Sequence, residues 1–190
     1  MLGLILVINF VTAFNLEVNF VDRKGWQTFL KKRCYLINLH ITSDDQEVTS
    51  VNGRSKALDC DGLVISEQTV HFLPKGLVNF FPQVTSIDAS YSHLKKITKN
   101  DLKPFKDLND LWLSHNDLQE LDGDLFEFNP KLKYFDVKSN ENLKSIGTAL
   151  FRGLHLHQAF FRNCGCIDSD FAPIDDMKSV TRELESKCSK

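Results

Sequence analysis

The hydrophobic positions of residues 108–126 follow neither of the two common periodicities. An amphipathic helix repeats apolar residues every three or four positions, and a strand alternates them with polar ones. With Trp112 and Leu125 set aside, the steps between apolar residues are 3, 2, 5, 3 and 5, at Leu108, Leu111, Leu113, Leu118, Leu121 and Phe126. The stretch is therefore either an irregular loop or one copy of a recurring unit.

The same spacing recurs along the chain with a period of 24. One copy begins at Val84, one period earlier, and another at Leu132, one period later, with a single insertion after Asn140. Partial copies begin at Cys60 and at Leu156. A fixed period of this length carrying L-x-x-L-x-L-x-x-N-x-L is typical of a leucine-rich repeat. The sequence therefore predicts about five repeats over residues 60–163.

The repeat pattern has a physical interpretation. In each copy x-x-L-x-L is a short strand whose alternating residues point inward, and Asn116 or Asn140 at the ninth position can bond the backbone of the following turn. Stacked copies bury a continuous core that one copy cannot bury alone. We expect an α/β-type solenoid, a horseshoe with a parallel β-sheet on its concave side.

Residues 14–59 precede the repeats and lack their pattern. Segments 33–41 and 47–58 look like strands, the second interrupted by a turn at Asn52-Gly53. Because a solenoid exposes apolar core at its ends, we expect an N-terminal β cap. Cys34 and Cys60 are placed to join this cap to the first repeat, a bond that contributes roughly 3–4 kcal/mol in the chain-entropy model.

Residues 164–190 carry Cys164, Cys166 and Cys188. A helical pattern over 176–186 predicts a C-terminal helical cap that returns Cys188 to the last repeat. Cys164 holds the inward ninth position, so the favoured pairing is Cys166–Cys188 with Cys164 buried and free. The alternative pairs Cys164 with Cys188 and leaves Cys166 exposed. Three thiolates without a well-placed histidine do not favour zinc.

Residues 1–13, MLGLILVINFVTA, form an apolar run that is too short to span a bilayer. Val11 and Ala13 suit the positions before a signal-peptidase site, so residues 1–13 are expected to be a cleaved signal peptide of a secreted, extracellular protein. The alternative is a buried first strand of a cytosolic protein.

Composition and the absence of known motifs argue against nucleic-acid binding and against enzymatic function. Lys+Arg is 23 against 25 for Asp+Glu, a net charge of −2, so a nucleic-acid partner is not expected. The chain lacks G-x-S-x-G, H-E-x-x-H, G-x-x-x-x-G-K-[ST] and G-x-G-x-x-G. We therefore predict a protein that is not an enzyme and needs no cofactor or metal.

The repeats, the early cysteines and the ending FRNCGC at 161–166 resemble small extracellular leucine-rich repeat proteins, and are similar to short secreted insect forms with disulfide caps. The resemblance covers about 34–188 and implies recognition of a partner. Its motifs specify the fold and say almost nothing about the ligand. The C-terminal end departs from the commoner four-cysteine cap, which leaves its disulfide pairing open.

Strand residues that do not face the core should line the concave surface and bind the partner. The ligand is expected to be an extracellular protein, with a glycan or lipid surface less favoured; a structural extracellular protein or an enzyme inhibitor is the alternative. The odd cysteine leaves a covalent dimer open. Flat strand faces lack the enclosed pocket that acid–base chemistry needs. The candidate binding residues are Trp112, Tyr134, Tyr91, Phe160, Asp88, Asp110, Asp136 and His115.

Overall fold

The computed structural model describes residues 12–21, 32–52 and 58–188. Of the predicted signal peptide at 1–13, residues 1–11 lie outside these ranges, as does Gly53 of the predicted turn. No helix in the described ranges has the length and apolarity needed to cross a membrane.

Short strands dominate the described part of the chain. The strands are β1 (Ala13–Val21), β2 (Arg33–Ile37), β3 (His40–Ile41), β4 (Glu47–Val51), β5 (Gly62–Val64), β6 (Thr69–Val70), β7 (Ser86–Asp88), β8 (Asp110–Trp112), β9 (Glu120–Leu121), β10 (Tyr134–Asp136), β11 (Ser145–Ile146), β12 (Gln158–Phe160) and β13 (Asp170–Phe171). The helices are α1 (Leu77–Phe80), α2 (Lys99–Leu102) and α3 (Met177–Cys188). Strands β5, β7, β8, β10 and β12 begin at successive positions one repeat period apart.

Nine strands form one mostly parallel sheet in the order β13-β12-β10-β8-β7-β5-β2-β1-β4. Its register places Leu111 beside Ile87 on one neighbouring strand and beside Phe135 on the other. All three side chains are fully buried. A large, mostly parallel sheet with few helices, built from strands one period apart, fits the predicted α/β solenoid.

The core lies between this sheet and the short segments that return each coil. Phe126, Phe135, Phe151 and Phe161 pack against one another with ring centroids 5.1 to 6.2 Å apart. On the far side β9 and β11 pair in parallel, with Ile146 beside Leu121. These partners are one position further apart along the chain than partners in the main sheet, in agreement with the insertion inferred after Asn140.

Ninth-position side chains join neighbouring coils. Asn116 Nδ2 donates to the carbonyl of Ala89 at 2.8 Å, and its Oδ1 accepts from the amides of Ser92 and Leu94 at 3.0 and 2.9 Å. Ser92 Oγ donates to the carbonyl of Ile65 at 3.1 Å. The ninth residue therefore satisfies backbone groups of the preceding coil that would otherwise be buried without partners.

Strand β2 differs from the sequence-based interpretation, which assigned it only to a cap. It pairs in parallel with β5, placing Cys34 beside Leu63 and Tyr35 beside Val64. Gln68 extends the same contact, because its Oε1 accepts from the Leu39 amide at 2.6 Å. Segment 33–41 is thus a further coil of the sheet, and it carries β1 antiparallel on its other side. The Cys34–Cys60 disulfide, with Cα atoms 5.9 Å apart, links this coil to the next.

The C-terminal end places α3 against the last coil. Val180, Leu184 and Cys188 are the buried residues of this helix. Cys188 is joined to Cys166, with Cα atoms 5.2 Å apart, and Cys164 is free and buried. The alternative Cys164–Cys188 pairing is therefore absent from this structure.

Six strands of the main sheet, β2, β5, β7, β8, β10 and β12, are each followed by a residue in the left-handed region, at the eighth position of the coil. These residues have φ between 54 and 63° and are chemically diverse: Asn38, Glu67, Tyr91, His115, Ser139 and Asn163. In the coils of Tyr91, His115 and Ser139 the backbone amide at this position donates to the next coil. Since this conformation is costly for residues other than glycine, the surrounding coils must hold it.

Candidate functional site

The outward face of the nine-stranded sheet carries an open depression of about 730 Å³, here called the strand-face depression. It extends from β2 across to β12, with its middle over β8. Seven of the eight predicted binding residues line it: Trp112, Tyr134, Tyr91, Asp88, Asp110, Asp136 and His115.

Trp112 occupies the middle of this depression. Strand β8 holds it between Asp88 on one neighbouring strand and Asp136 on the other, in direct register. Its side chain is half-buried, and its indole nitrogen is buried without a hydrogen-bond partner in the described structure. An aromatic body bordered by carboxylates provides apolar contact area and negative charge at one place.

Tyr91 and His115 form the exposed aromatic part of the depression. Their rings stack with centroids 4.1 Å apart and an angle of 10° between planes. Tyr91 is 54% exposed, although large apolar side chains are otherwise covered in the described chain. The stack exists because both residues hold the eighth position of adjacent coils, where the left-handed backbone directs both side chains to the same edge.

Two further predicted aromatic residues, Tyr134 and Phe160, differ in their placement. Tyr134 lines the depression and makes an edge contact with His157, whose Nδ1 lies 3.3 Å from the tyrosine hydroxyl. Phe160 does not line it. Lys138 places its ammonium 4.8 Å from the Phe160 ring centroid, so Phe160 is covered by a cation from this chain.

The carboxylates are more buried than their outward strand positions imply. Asp110 is 6% exposed, and burial raises its pKa to about 6. Asp136 is 4% exposed; burial raises its pKa, and Lys138 opposes the shift through its amide, 2.9 Å from Oδ1, and its ammonium, 3.7 Å from Oδ2. Asp88 is half-buried and accepts from the Ser90 amide at 3.1 Å.

Several residues of the depression were not among the predicted binding residues. Arg33 was missed because its coil was not recognised as a repeat, although Cys34, Leu36 and Ile41 show the spacing of the later copies. Lys138 was not selected because candidate binding residues were taken only from positions 3, 5 and 8 of each repeat. Lys138 holds position 7, counted from Leu132. The residues that line the depression and were not among the predicted binding residues are Arg33, Ser66, Glu67, Ser90, Ser114, Lys138 and Gln158.

The depression suits contact with a partner better than enclosure of a small substrate. It opens along the sheet face, and its charged residues include Glu67, Asp88, Asp110 and Asp136 against Arg33 and Lys138. Within residues 12–21, 32–52 and 58–188, no group of three or more His, Cys, Asp or Glu side chains could hold a metal ion.

No protein-family model matches the chain. Over 96 residues the chain is 40% identical to Toll-like receptor 10 of Bos taurus. The aligned part covers 50% of this chain and 11% of the receptor, so the chain spans about a tenth of that relative's length. Together with the two disulfides, this similarity suggests a leucine-rich repeat protein.

Proposed function

We propose that this protein is a secreted leucine-rich repeat protein that binds another protein on the concave face of a horseshoe. The observation that carries the proposal is the strand-face depression, where Trp112 and the exposed Tyr91–His115 stack stand among polar side chains. Large aromatics surrounded by polar groups are typical anchors of protein interfaces. The similarity of half of the chain to a receptor supports recognition as its role.

The proposed organisation is a signal peptide at 1–13, an N-terminal β cap at 14–59 in which segment 33–41 adds one coil to the sheet, repeats at 60–163 and a C-terminal helical disulfide cap at 164–190. The positions of the end elements support it, since β1 and β4 lie at one end of the sheet order and β13 at the other. Secretion is supported by two disulfides, which persist in oxidising compartments. N-terminal sequencing of the secreted protein tests the signal peptide, and we expect the mature chain to begin at Phe14. A secreted chain that still begins at Met1 would overturn this assignment.

A monomer is favoured over the covalent dimer that the odd cysteine leaves open. Cys164 is 8% exposed, and its thiol lies 3.1 Å from the carbonyl of Val137, to which it donates. Bonding between chains would require this coil to open. A non-reducing gel distinguishes the two forms, with a single band at 21.8 kDa or below expected.

Capture from extracellular fluid tests the recognition role. Wild-type protein is compared with Trp112→Ala and with a Trp112→Ala/Tyr134→Ala double variant, and Phe128→Ala serves as a matched aromatic control. Phe128 is half-buried but lies outside the depression, beneath Lys103. We expect one or more proteins bound by wild type and Phe128→Ala to be lost from both Trp112 variants. Identical captures from all four proteins would overturn the proposal. Loss of an enzyme's activity in the captured complex would identify the inhibitor alternative.

A further inference from the structure

Asp110 is a buried carboxylate whose surroundings do not balance its charge. It is 6% exposed and lines the strand-face depression. Among the described residues its side chain has no hydrogen bond or ion pair, and its oxygens are not among the fully buried atoms that lack a partner, so they still reach the depression. Removing an ionised carboxylate from water without a partner is unfavourable, so the native fold bears a cost at this position.

None of the neighbouring charged groups forms an ion pair with Asp110 in the described structure; Arg33 also lines the depression, three strands away on β2. Asp136 lies on the next strand and is engaged by Lys138, which is also placed against the Phe160 ring. Asp88 on the opposite neighbour adds negative charge, and in the described part of the chain its carboxylate accepts from the Ser90 amide. The middle of the depression therefore combines Asp110 and Asp88 with the aromatic surface of Trp112.

We propose that the middle of the strand-face depression receives the side chain of a lysine or arginine from the protein partner, with Asp110 as its counter-ion and Trp112 as its aromatic contact. The inference rests on the proposed recognition function and specifies the chemistry of the partner. A desolvated cation near a tryptophan ring is attracted by the ring's quadrupole. A charge-assisted hydrogen bond to Asp110 would satisfy the buried carboxylate.

The spacing of the sheet allows one side chain to reach both groups. Asp110 and Trp112 are two residues apart on β8 and point to the same face, which separates their Cα atoms by roughly 7 Å. Asp88 is in register with Trp112 on a strand about 4.8 Å away. A guanidinium has five donors in a planar fork and an ammonium has three donors, so either can engage Asp110 beside the indole.

A partner protein is favoured over a bare cation or a small cationic metabolite. Calcium takes six to eight oxygen ligands, and the described side chains offer no metal-binding group of three. The exposed Tyr91–His115 stack adds apolar area beyond the reach of one small cation. A basic residue on a protein surface would fill the middle of the depression while its neighbours cover the stack.

Selection from a random peptide library displayed on phage tests the chemistry without knowledge of the natural partner. The bait is the full secreted chain, and parallel selections use Asp110→Asn and the control Asp122→Asn, whose exposed carboxylate lies outside the depression. We expect peptides with a fixed central lysine or arginine to be enriched by wild type and Asp122→Asn and not by Asp110→Asn. Enrichment of neutral or acidic peptides, or of no basic peptide, overturns the inference.

A binding measurement with the selected peptide locates the contact. The peptide is synthesised with its basic residue and with citrulline or acetyl-lysine in its place, and Trp112 fluorescence is followed in a Trp26→Phe background. We expect at least a tenfold loss of affinity from either the neutral peptide or Asp110→Asn. Equal affinities would overturn the charge assignment. If the peptide still requires Trp112, recognition on this face stands and only this inference fails; if no ligand requires Trp112, the proposed function fails as well.

Discussion

Asn140 donates a 2.9 Å hydrogen bond from its side-chain amide to the carbonyl oxygen of Leu113, which belongs to the preceding coil. The same nitrogen donates to the Val137 carbonyl at 2.8 Å, and Asn140 Oδ1 accepts from the Leu118 amide at 3.1 Å. All four residues are fully buried. One side chain thus satisfies three backbone groups that water does not reach.

Replacing this side chain should destabilise the protein strongly. Asn140→Ala leaves buried backbone groups without partners, so we expect a loss of about 3 kcal/mol or more in the free energy of unfolding, measured by urea denaturation. Asn100→Ala is the matched control, because Asn100 is exposed on α2; it should change stability by less than about 0.5 kcal/mol. Equal stabilities of the two variants would contradict the bridging role.

Asp110 should make stability depend on pH in an unusual direction. Its folded pKa is raised to about 6 from an ordinary value of 3.8, so the folded state holds the proton more tightly than the unfolded state. Its contribution to stability is therefore present at low pH and is lost as pH rises from about 4 to about 6. Asp88, Asp136, Lys138 and His115 share the depression and are unchanged in the comparison below.

Asp110→Asn should consequently raise the free energy of unfolding by roughly 1–3 kcal/mol at pH 7, with the gain disappearing near pH 4. Denaturation of both proteins across pH 4–8 measures the difference. Asp122→Asn should show no such pH-dependent gain. A destabilised Asp110→Asn at pH 7 would mean that the carboxylate has a structural role, and it would also weaken the case for a cationic ligand at this position.

Gly147 permits a close approach between two coils on the far side of the core. A Cβ atom at this position would lie 2.2 Å from the Gly123 nitrogen and 2.5 Å from its Cα, and both contacts are with backbone. We expect Gly147→Ala to lower the free energy of unfolding by about 2 kcal/mol or more, because the coils must separate. Thr148→Ala, at an exposed neighbouring position, is the control for calorimetry. Equal melting temperatures would show that the coils can shift apart without cost.

Cys164 should be unreactive in the native protein. Burial raises the pKa of its thiol to about 11, so the thiolate that attacks disulfide reagents is scarce at pH 8. We expect native protein to react with a colorimetric thiol reagent at least a hundredfold more slowly than urea-unfolded protein, which should release one equivalent. Cys164→Ala should abolish that equivalent. Rapid reaction in buffer would place the thiol at the surface.

The sheet was largely predictable because the apolar residues that build it recur at a fixed spacing. Ile87, Leu111 and Phe135 recur at one fixed period, and strands built on them must lie side by side to bury their shared face. The repeat pattern did not identify the coil at 33–41, for two physical reasons. The step from Arg33 to its strand partner Gly62 is longer than the period of the later copies, and Leu39 replaces the polar ninth residue. A search that requires a spacing of 24 residues and a polar residue at the ninth position does not find such a copy.

The outward placement of the candidate residues was predictable from the sequence, and the extent of their burial was not. Strand alternation assigns Asp110 and Trp112 to the outward face, and both lie there. It cannot report how far neighbouring side chains cover them, which depends on the sizes of residues on adjacent strands. Asp110 is therefore buried although it holds an outward strand position, and Phe160 lies beside Lys138 and outside the depression.

At the eighth position of each coil, the left-handed backbone conformation does not depend on which side chain the residue carries. Tyr91 and His115 leave the backbone in a direction set by hydrogen bonds to the following coil, at Ser114 and Lys138, and not by their own side chains. Asparagine, glutamate and serine occupy the same conformation elsewhere in the array. Exchanging the side chain at one such position per coil should thus re-target the protein to a new ligand while its scaffold keeps its shape.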